Sequence, residues 1–259
     1  MLCEDVRAVG SPIDSRLPPL PYDGQMEIHR ISLHRLVQAP HDFDTVVVID
    51  VLRSFSTAAY AFAAGASEIH PVQTAAEAQL LLNRIPEALT IGALPGGRPM
   101  AGFDLGNSPS RVQALALAGR PVILTTAAGV QALIRFGHVP RLFATSLVCA
   151  GATLAALQAI APRRIALLTT GEWTDRDGDE DIACADYLAA GLLGHPISHA
   201  VLSRRVRESD FGRRFAAGTD PALPLADLEL CAVVDRFDFA MPVVREDDGL
   251  VVRPLRSAP

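Results

Sequence analysis

Residues 46–57 read VVVIDVLRSFST, an apolar run that stops at Asp50. Apolar residues at every position, rather than at every second one, predict a strand over 45–50 that is buried on both faces of a sheet. Arg53 and three hydroxyl residues follow within seven positions of Asp50. The hydroxyl residues are Ser54, Ser56 and Thr57. A buried strand that ends in an acid and leads into a polar helix start predicts a site at the carboxyl end of this strand.

The chemistry that these residues favour is phosphate handling with Mg²⁺. Mg²⁺ prefers oxygen ligands and usually takes only one or two carboxylates, which Asp50 can supply. Arg53 and the hydroxyl residues would bind an anion at the N-terminus of the following helix. The alternative is structural: Asp50 caps that helix or forms a local ion pair with Arg53.

A second polar segment, GFDLGNSPS at residues 102–110, displays Asp104, Asn107 and Ser108 just before Pro109. Ser108 and Pro109 also form a good helix start, with Ser108 as the N-cap and Pro109 in the first turn. Asp104 is predicted as a ligand, a base or an acid of the turn. Capping and ligand binding are compatible, so the two segments together predict one phosphate site.

The composition limits the classes of function that the chain can serve. Of its 259 residues 49% are apolar, enough for a large core, and the net charge of −6 disfavours nucleic-acid binding. None of the 23 basic residues is a lysine, which excludes a Schiff-base lysine and a Walker-type phosphate lysine. The four cysteines match no zinc spacing, and no apolar run is long enough to cross a membrane. The N-terminus has no apolar leader, so a cytoplasmic protein without membrane partners is expected.

Apolar runs alternate with helical patterns from about residue 26 onward. Residues 1–25 are expected to be a disordered or extended arm, and 26–255 a single α/β domain. Strands are predicted at 45–50, 68–72, 89–92, 121–126, 141–146 and 164–170, with edge strands at 228–234 and 249–253. Helices are predicted at 55–65, 74–84, 109–118, 128–136, 150–160, 180–193 and 203–218. This alternation predicts a three-layer α/β/α fold with a largely parallel or mixed central sheet.

Ligands in such sheets bind outside the carboxyl ends of the strands, and polar side chains stand at four predicted strand ends. They are Asp50, the pair Thr125 and Thr126, Ser146, and the TTGE segment at 169–172. After TTGE the chain is densely acidic, and Glu180 and Asp181 enter the next helix. This acidic pair is predicted either to contact the metal or substrate, or to favour the helix dipole.

These segments give the chain a resemblance to the 2-phosphosulfolactate phosphatase family, from about residue 26 to residue 242. The resemblance rests on VVVIDVLRSFSTAAYAFAAGA, GFDLGNSPS, TTAAGVQAL, the Ser146 strand end, GDEDIACADYL and LELCAVVDRFDFAMP. It implies a three-layer α/β fold and Mg²⁺-dependent hydrolysis of a phosphate ester of a small sulfonated hydroxy acid. It also implies a soluble protein that can form a homo-oligomer.

The resemblance carries roles over to individual positions of this chain. The catalytic residues would be Asp50, Arg53 and Asp104. The substrate-binding residues would be Ser56, Thr57, Asn107, Ser108, Thr125, Thr126 and Ser146. The metal ligands would be Asp50, Glu180 and Asp181.

Three positions depart from the family pattern. Where relatives read TTTNGTRAL, this chain has Ala128 in place of an amide and Val130 in place of a hydroxyl, and Cys149 replaces an expected Asn. The leading hypothesis is a Mg²⁺-dependent phosphatase for a small anionic phosphoester. Because lost hydrogen-bond partners weaken a polar site, the alternative is a catalytically inactive member that binds an anionic metabolite. A third hypothesis is an enzyme that uses Cys149 as its nucleophile, against a buried thiol as the structural alternative.

Overall fold

A computed structural model describes residues 26–39 and 42–256, so the predicted arm at 1–25 lies outside the described residues. The strands in the described ranges are β1 (Glu27–Ser32), β2 (Thr45–Ile49), β3 (Ile69–Pro71), β4 (Leu89–Gly92), β5 (Val122–Thr125), β6 (Arg141–Thr145), β7 (Arg164–Thr169), β8 (Phe239–Glu246), β9 (Gly249–Val252) and β10 (Leu255–Arg256). The α-helices there are α1 (Ser54–Ala63), α2 (Ala75–Leu82), α3 (Pro109–Gln113), α4 (Gly129–Phe136), α5 (Ala150–Ile160), α6 (Asp179–Leu192), α7 (His199–Glu208), α8 (Asp210–Ala217) and α9 (Leu225–Cys231).

The strands form one mixed sheet in the order β1-β7-β2-β6-β8-β9-β3-β5-β4, and β10 pairs with β8. Strands β1, β7, β2 and β6 are parallel to one another, as are β3, β5 and β4. The β8–β9 hairpin joins the two parallel groups through antiparallel pairs on both sides. The α/β fold class with a mixed sheet is therefore confirmed. Three successive antiparallel pairings make β5 run opposite to β2. Parallel pairing therefore does not explain how the segments after β2 and β5 come to lie together.

Apolar side chains cover both faces of the sheet. Along β2, Val46 and Val48 belong to one buried cluster and Val47 and Ile49 to another, because successive side chains of a strand point to opposite faces. The first cluster includes side chains of α1 and α4, and the second includes side chains of α5 to α8. Helices on both faces fit the three-layer arrangement.

The six main strands were predicted to within one residue at each end, but the C-terminal part was not. The strand predicted at 228–234 is wrong, since α9 occupies most of it. The predicted strand at 249–253 exists as β9, but it lies inside the sheet rather than at an edge. Neither β1 nor β8 was predicted.

Two helix predictions also need correction. The helix predicted at 109–118 ends at Gln113. The helix predicted at 203–218 is broken at Ser209, whose hydroxyl accepts a hydrogen bond from the Gly212 amide at 3.0 Å and caps α8. A side chain at Gly212 would lie 2.0 Å from the Val206 carbonyl oxygen, so this corner requires glycine. No helix in the described ranges is long and apolar enough to span a membrane.

Candidate active site

Asp50 lies directly after β2 and is held by the first turns of two helices. One carboxylate oxygen accepts a hydrogen bond from the Ser54 amide at 2.8 Å. The other accepts from the Ser54 hydroxyl at 2.6 Å and from the Gly129 amide at 3.1 Å. The side chain is only 5% exposed. Asp50 is not the N-cap of α1, a position that Arg53 occupies, but its carboxylate accepts from the first amide of that helix and is fixed at a junction of α1 and α4.

The close approach of α4 explains the glycine at its start. A Cβ atom at Gly129 would lie 2.7 Å from the Asp50 carboxylate and 3.1 Å from the ring of Phe55. Helix α4 packs against β2 and α1, which brings the segment after β5 to the end of β2. Thr126 marks this junction, since its hydroxyl lies 3.1 Å from the Ser54 hydroxyl and accepts from the Val130 amide at 3.2 Å.

A cleft of about 180 Å³ opens beside Asp50. Its polar side chains are Asp50, Arg53, Ser54, Asn107, Thr126, Asp175, Arg176 and Arg214. Its apolar walls include Leu52, Leu94, Ala128, Trp173 and Phe211. Of the residues predicted for the site, Asp50, Arg53, Asn107 and Thr126 are brought together here.

Arg53 lines the cleft, but its charge is balanced by Asp227. The guanidinium donates to the Asp227 carboxylate at 2.6 Å, and the two side chains are 2% and 0% exposed. It also donates to the carbonyls of Ala222 and Gly97 at 3.0 and 2.9 Å, and it lies 5.1 Å from the ring centroid of Phe215. The predicted Asp50–Arg53 ion pair is therefore wrong, because Arg53 is committed to Asp227.

Asp227 was missed by the sequence analysis, and it organises the GFDLGNSPS loop. Its second oxygen accepts from the Ser108 hydroxyl at 2.9 Å and from the Ser110 amide and hydroxyl at 3.0 and 2.6 Å. Ser108 stands at the N-cap position of α3, but its side chain does not cap the helix, since the hydroxyl donates to Asp227. The loop is thus fastened to α9 and to Arg53.

The structure does not bring Asp104 into the cleft. Its carboxylate accepts from the amide and the hydroxyl of Thr90, both at 2.8 Å, and the residue is exposed. The Thr90 hydroxyl in turn accepts from the Asp104 amide at 2.9 Å. Asp104 therefore fastens the loop to β4, as an acid of the turn would.

The predicted substrate-binding hydroxyls divide into several groups. The hydroxyl of Ser56 donates to the Val51 carbonyl at 2.7 Å, which occupies it in the first turn of α1. Three other hydroxyls are buried without a hydrogen-bond partner among the described residues, and they do not line the cleft. They belong to Thr57, Thr125 and Ser146. Asn107 differs, because its buried side-chain oxygen also lacks a partner but the residue lines the cleft.

Asp181 ties the loop after β7 to the loop after β2. One oxygen accepts from the Val51 amide at 2.8 Å, and the other accepts from the amides of Thr170 and Gly171 at 2.8 and 2.7 Å. Burial, followed by the charges of Asp50 and Glu180, raises the pKa of the Asp181 carboxyl well above its ordinary value. Both oxygens are occupied, so Asp181 positions the two loops.

Glu180 is buried, and neither carboxylate oxygen has a hydrogen-bond partner in the described chain. Burial raises the pKa of Glu180 to about 7. Its carboxylate sits against Gly171, where a Cβ atom would lie 2.7 Å from an oxygen of Glu180. Across the described ranges, no three His, Cys, Asp or Glu side chains are grouped so as to hold a metal ion. Of the three predicted metal ligands, Asp50 is the one that lines the cleft.

The positions that depart from the family pattern also differ in their surroundings. Ala128 lines the cleft, whereas Val130 and Cys149 are fully buried in the core. Burial raises the pKa of the Cys149 thiol, and its sulfur lies 3.7 Å from the Ser146 carbonyl oxygen. A buried thiol with a raised pKa is a poor nucleophile, which supports the structural alternative for Cys149.

Part of the cleft is lined by residues that were not predicted for the site. The acidic loop after β7 contributes Trp173, Asp175 and Arg176, and α8 contributes Phe211 and Arg214. Arg214 donates to the Asp175 carboxylate at 2.9 Å. The segment 203–218 contains five arginines, and this pattern could have pointed to the site, since α8 carries one of them, Arg214, to the cleft.

Comparisons with known proteins identify the family of this chain. The family model described as 2-phosphosulpholactate phosphatase matches residues 31–245. A probable 2-phosphosulfolactate phosphatase of Bacillus subtilis is 30% identical over 83% of this chain and 92% of its own length. Proteins of the same description from Deinococcus radiodurans and Carboxydothermus hydrogenoformans are 37% and 36% identical, over 61% and 64% of this chain and 65% and 64% of their own lengths. Because the family model spans most of the chain and the Bacillus relative aligns over nearly its whole length, this chain belongs to the 2-phosphosulfolactate phosphatase family.

Proposed function

We propose that this protein is a Mg²⁺-dependent phosphatase that hydrolyses a small anionic phosphoester. The observation that carries the proposal is Asp50, a nearly buried carboxylate fixed by three hydrogen bonds at the floor of a cleft with cationic side chains. The names of the family and of its relatives support phosphoester hydrolysis and make 2-phosphosulfolactate the first substrate to test.

The chain's own groups suit a phosphoryl group. Arg176 and Arg214 place positive charge in the cleft that holds Asp50, and this charge favours the binding of an anionic ester there. The hydroxyl of Thr126 can donate a hydrogen bond to a phosphoryl oxygen, whereas the unpartnered side-chain oxygen of Asn107 is an acceptor and suits a bound water or cation. The charge of Arg53 is balanced by Asp227, so we expect Arg53 to hold the shape of the cleft rather than to bind the phosphoryl group.

Mg²⁺ fits this donor set. The ion usually binds one or two carboxylates and completes its shell with water and substrate phosphate, so Asp50 with a phosphoester is a sufficient set. Asp181 and Glu180 do not line the cleft; the oxygens of Asp181 accept backbone amide hydrogen bonds, and those of Glu180 are unpartnered among the described residues. Bound Mg²⁺ would supply charge neutralisation at the phosphoryl group and lower the pKa of a water molecule.

Water is the nucleophile that the site favours. Leu52 stands two positions after Asp50, where an Asp-x-Asp phosphatase would carry its second acid, and it lines the cleft. An aspartyl-phosphate route would lack its usual acid–base partner at that position. We also propose a cytoplasmic location. We further propose a homo-oligomeric state, and size-exclusion chromatography with light scattering would test that state.

The test is phosphate release by the purified protein, with and without Mg²⁺, over a panel that includes 2-phosphosulfolactate and 2-phospholactate. The proposal predicts turnover that requires Mg²⁺. The preferred ester should carry an anionic group in addition to the phosphate, as 2-phosphosulfolactate and 2-phospholactate do. A protein that is folded by circular dichroism yet releases no phosphate from any ester would contradict it and favour the inactive-binder hypothesis.

A further inference from the structure

We infer that Arg176 binds a second anionic group of the substrate, a carboxylate bonded to the phosphate-bearing carbon or a sulfonate on the carbon next to it. The inference rests on the proposed function, because it concerns the same cleft. It assigns to the acidic loop after β7 a role in choosing the substrate.

The other arginines around the cleft already have carboxylate partners. The pairs are Arg53 with Asp227 and Arg214 with Asp175. Arg205, which does not line the cleft, is held by Asp179 and Asp186. Arg176 forms no ion pair with any residue that the structure describes, although six acids lie within five positions of it in the sequence. Its guanidinium is therefore not committed to a carboxylate and is left for a ligand.

The aspartates of the loop are committed elsewhere. Asp175 accepts from Arg214, and Asp177 accepts from the amides of Asp179 and Asp210, both at 3.2 Å. Asp181 accepts from backbone amides of two loops. Among the described acids of this loop, Glu180 is the one without a hydrogen-bond partner, and it forms no ion pair with Arg176 although the two charges interact.

Aromatic rings hold the Arg176 guanidinium in place. Its central carbon lies 4.5 Å from the ring centroid of Phe211 and 5.6 Å from that of Trp173. The main chain is closed by paired hydrogen bonds between Trp173 and Arg176, at 3.1 and 3.4 Å. A guanidinium stacked in this way loses little entropy when it binds a planar or tetrahedral oxyanion.

One donor of Arg176 is buried and unused. Its Nε atom has no hydrogen-bond partner among the described residues, and an unmade hydrogen bond of a buried donor is costly. The residue lines the same cleft as Asp50. A volume of about 180 Å³ admits a small substrate, so an anion on Arg176 and a phosphoryl group near Asp50 can belong to one three-carbon molecule.

The test compares two phosphoesters that differ in one group. Isopropyl phosphate is 2-phospholactate with a methyl group in place of the carboxylate. For Arg176→Gln we expect kcat/KM for 2-phospholactate to fall about ten- to hundredfold, the range for one charge-assisted contact. For isopropyl phosphate we expect a change of less than about threefold. Arg176→Lys should recover part of the loss, because it keeps the charge but not the planar fork.

The matched control is Arg204→Gln, which removes an exposed arginine of α7 that pairs with Glu208 at 3.9 Å and does not line the cleft. It should leave both substrates unchanged. Equal loss for both phosphoesters in a folded Arg176→Gln variant would overturn the inference, because it would show that the cation serves the phosphoryl group.

A binding measurement separates this inference from the proposed function. Calorimetry would compare 2-phosphonopropionate with isopropylphosphonate, an unreactive pair with the same single difference. If the wild type hydrolyses no ester but prefers the carboxylate ligand, and Arg176→Gln removes that preference, then the proposed function fails and the inference stands. A wild type without the preference, or a preference that survives Arg176→Gln, would overturn the inference.

Discussion

Asp227→Ala removes the carboxylate that balances Arg53 in the protein interior. Because the two side chains are 0% and 2% exposed, the substitution leaves a buried cation without a counterion. Breaking such a pair from one side costs about 3–5 kcal/mol of stability. The hydrogen bonds from Ser108 and Ser110 are lost as well, so we expect a loss near the upper end of this range.

The assay is urea unfolding followed by far-ultraviolet circular dichroism. The matched control is Asp104→Ala, which removes an exposed carboxylate bonded to Thr90 and should cost about 1 kcal/mol. The double variant Arg53→Ala/Asp227→Ala should be less destabilised than the sum of the single variants, by about 1–3 kcal/mol. If Asp227→Ala costs no more than Asp104→Ala, then the buried pair does not hold the loop as argued.

Further substitutions test the remaining groups at the site. Burial raises the pKa of Glu180 from 4.5 to about 7, so the folded state resists its ionisation, and this group should lower the free energy of unfolding by about 2–3 kcal/mol between pH 5 and pH 8. Glu180→Gln should remove this decrease in the free energy of unfolding. Urea unfolding at the two pH values measures it, and an equal decrease in the wild type and the variant would contradict the prediction. Gly129→Ala places a Cβ atom 2.7 Å from the Asp50 carboxylate, so phosphate release should drop about tenfold or more even where the melting temperature shows a folded protein. Cys149→Ser should leave phosphate release within about twofold of the wild type, since the thiol is fully buried, and complete inactivation of the folded variant would restore the thiol as a nucleophile.

Local sequence patterns predicted the parts of the fold that depend on local physics. Uninterrupted apolar runs marked the strands that are buried on both faces, and β2 and β7 ended where their polar residues begin. Strand β8 was missed because its sequence, FAMPVVRE, contains a proline and ends in charged residues. Its place in the sheet comes from pairing with β6 and β9, which no local pattern encodes.

The site shows the same division. The sequence placed Asp50 and Thr126 at strand ends and Asn107 in a loop, and all three do reach one cleft. It did not find the partner of Arg53, because Asp227 lies 174 residues away and its segment resembled a strand. It likewise assigned Asp181 to a metal or to the helix dipole, whereas its contacts are amides of two distant loops. Tertiary contacts decide that Asp227 pairs with Arg53, that Asp181 binds backbone amides and that Arg176 has no ion pair among the described residues.

The central claim is that Asp50 is the carboxylate on which Mg²⁺-dependent hydrolysis depends. Phosphate release by Asp50→Asn should be measured beside the wild type, across a Mg²⁺ titration and with the preferred phosphoester. Asparagine keeps the size of the side chain and one acceptor oxygen, but its NH2 group would face one of the two amides that donate to Asp50, so circular dichroism must first show that the variant is folded. We expect its Mg²⁺-dependent activity to fall about a hundredfold or more. Full activity with an unchanged Mg²⁺ dependence in the folded variant would contradict the claim.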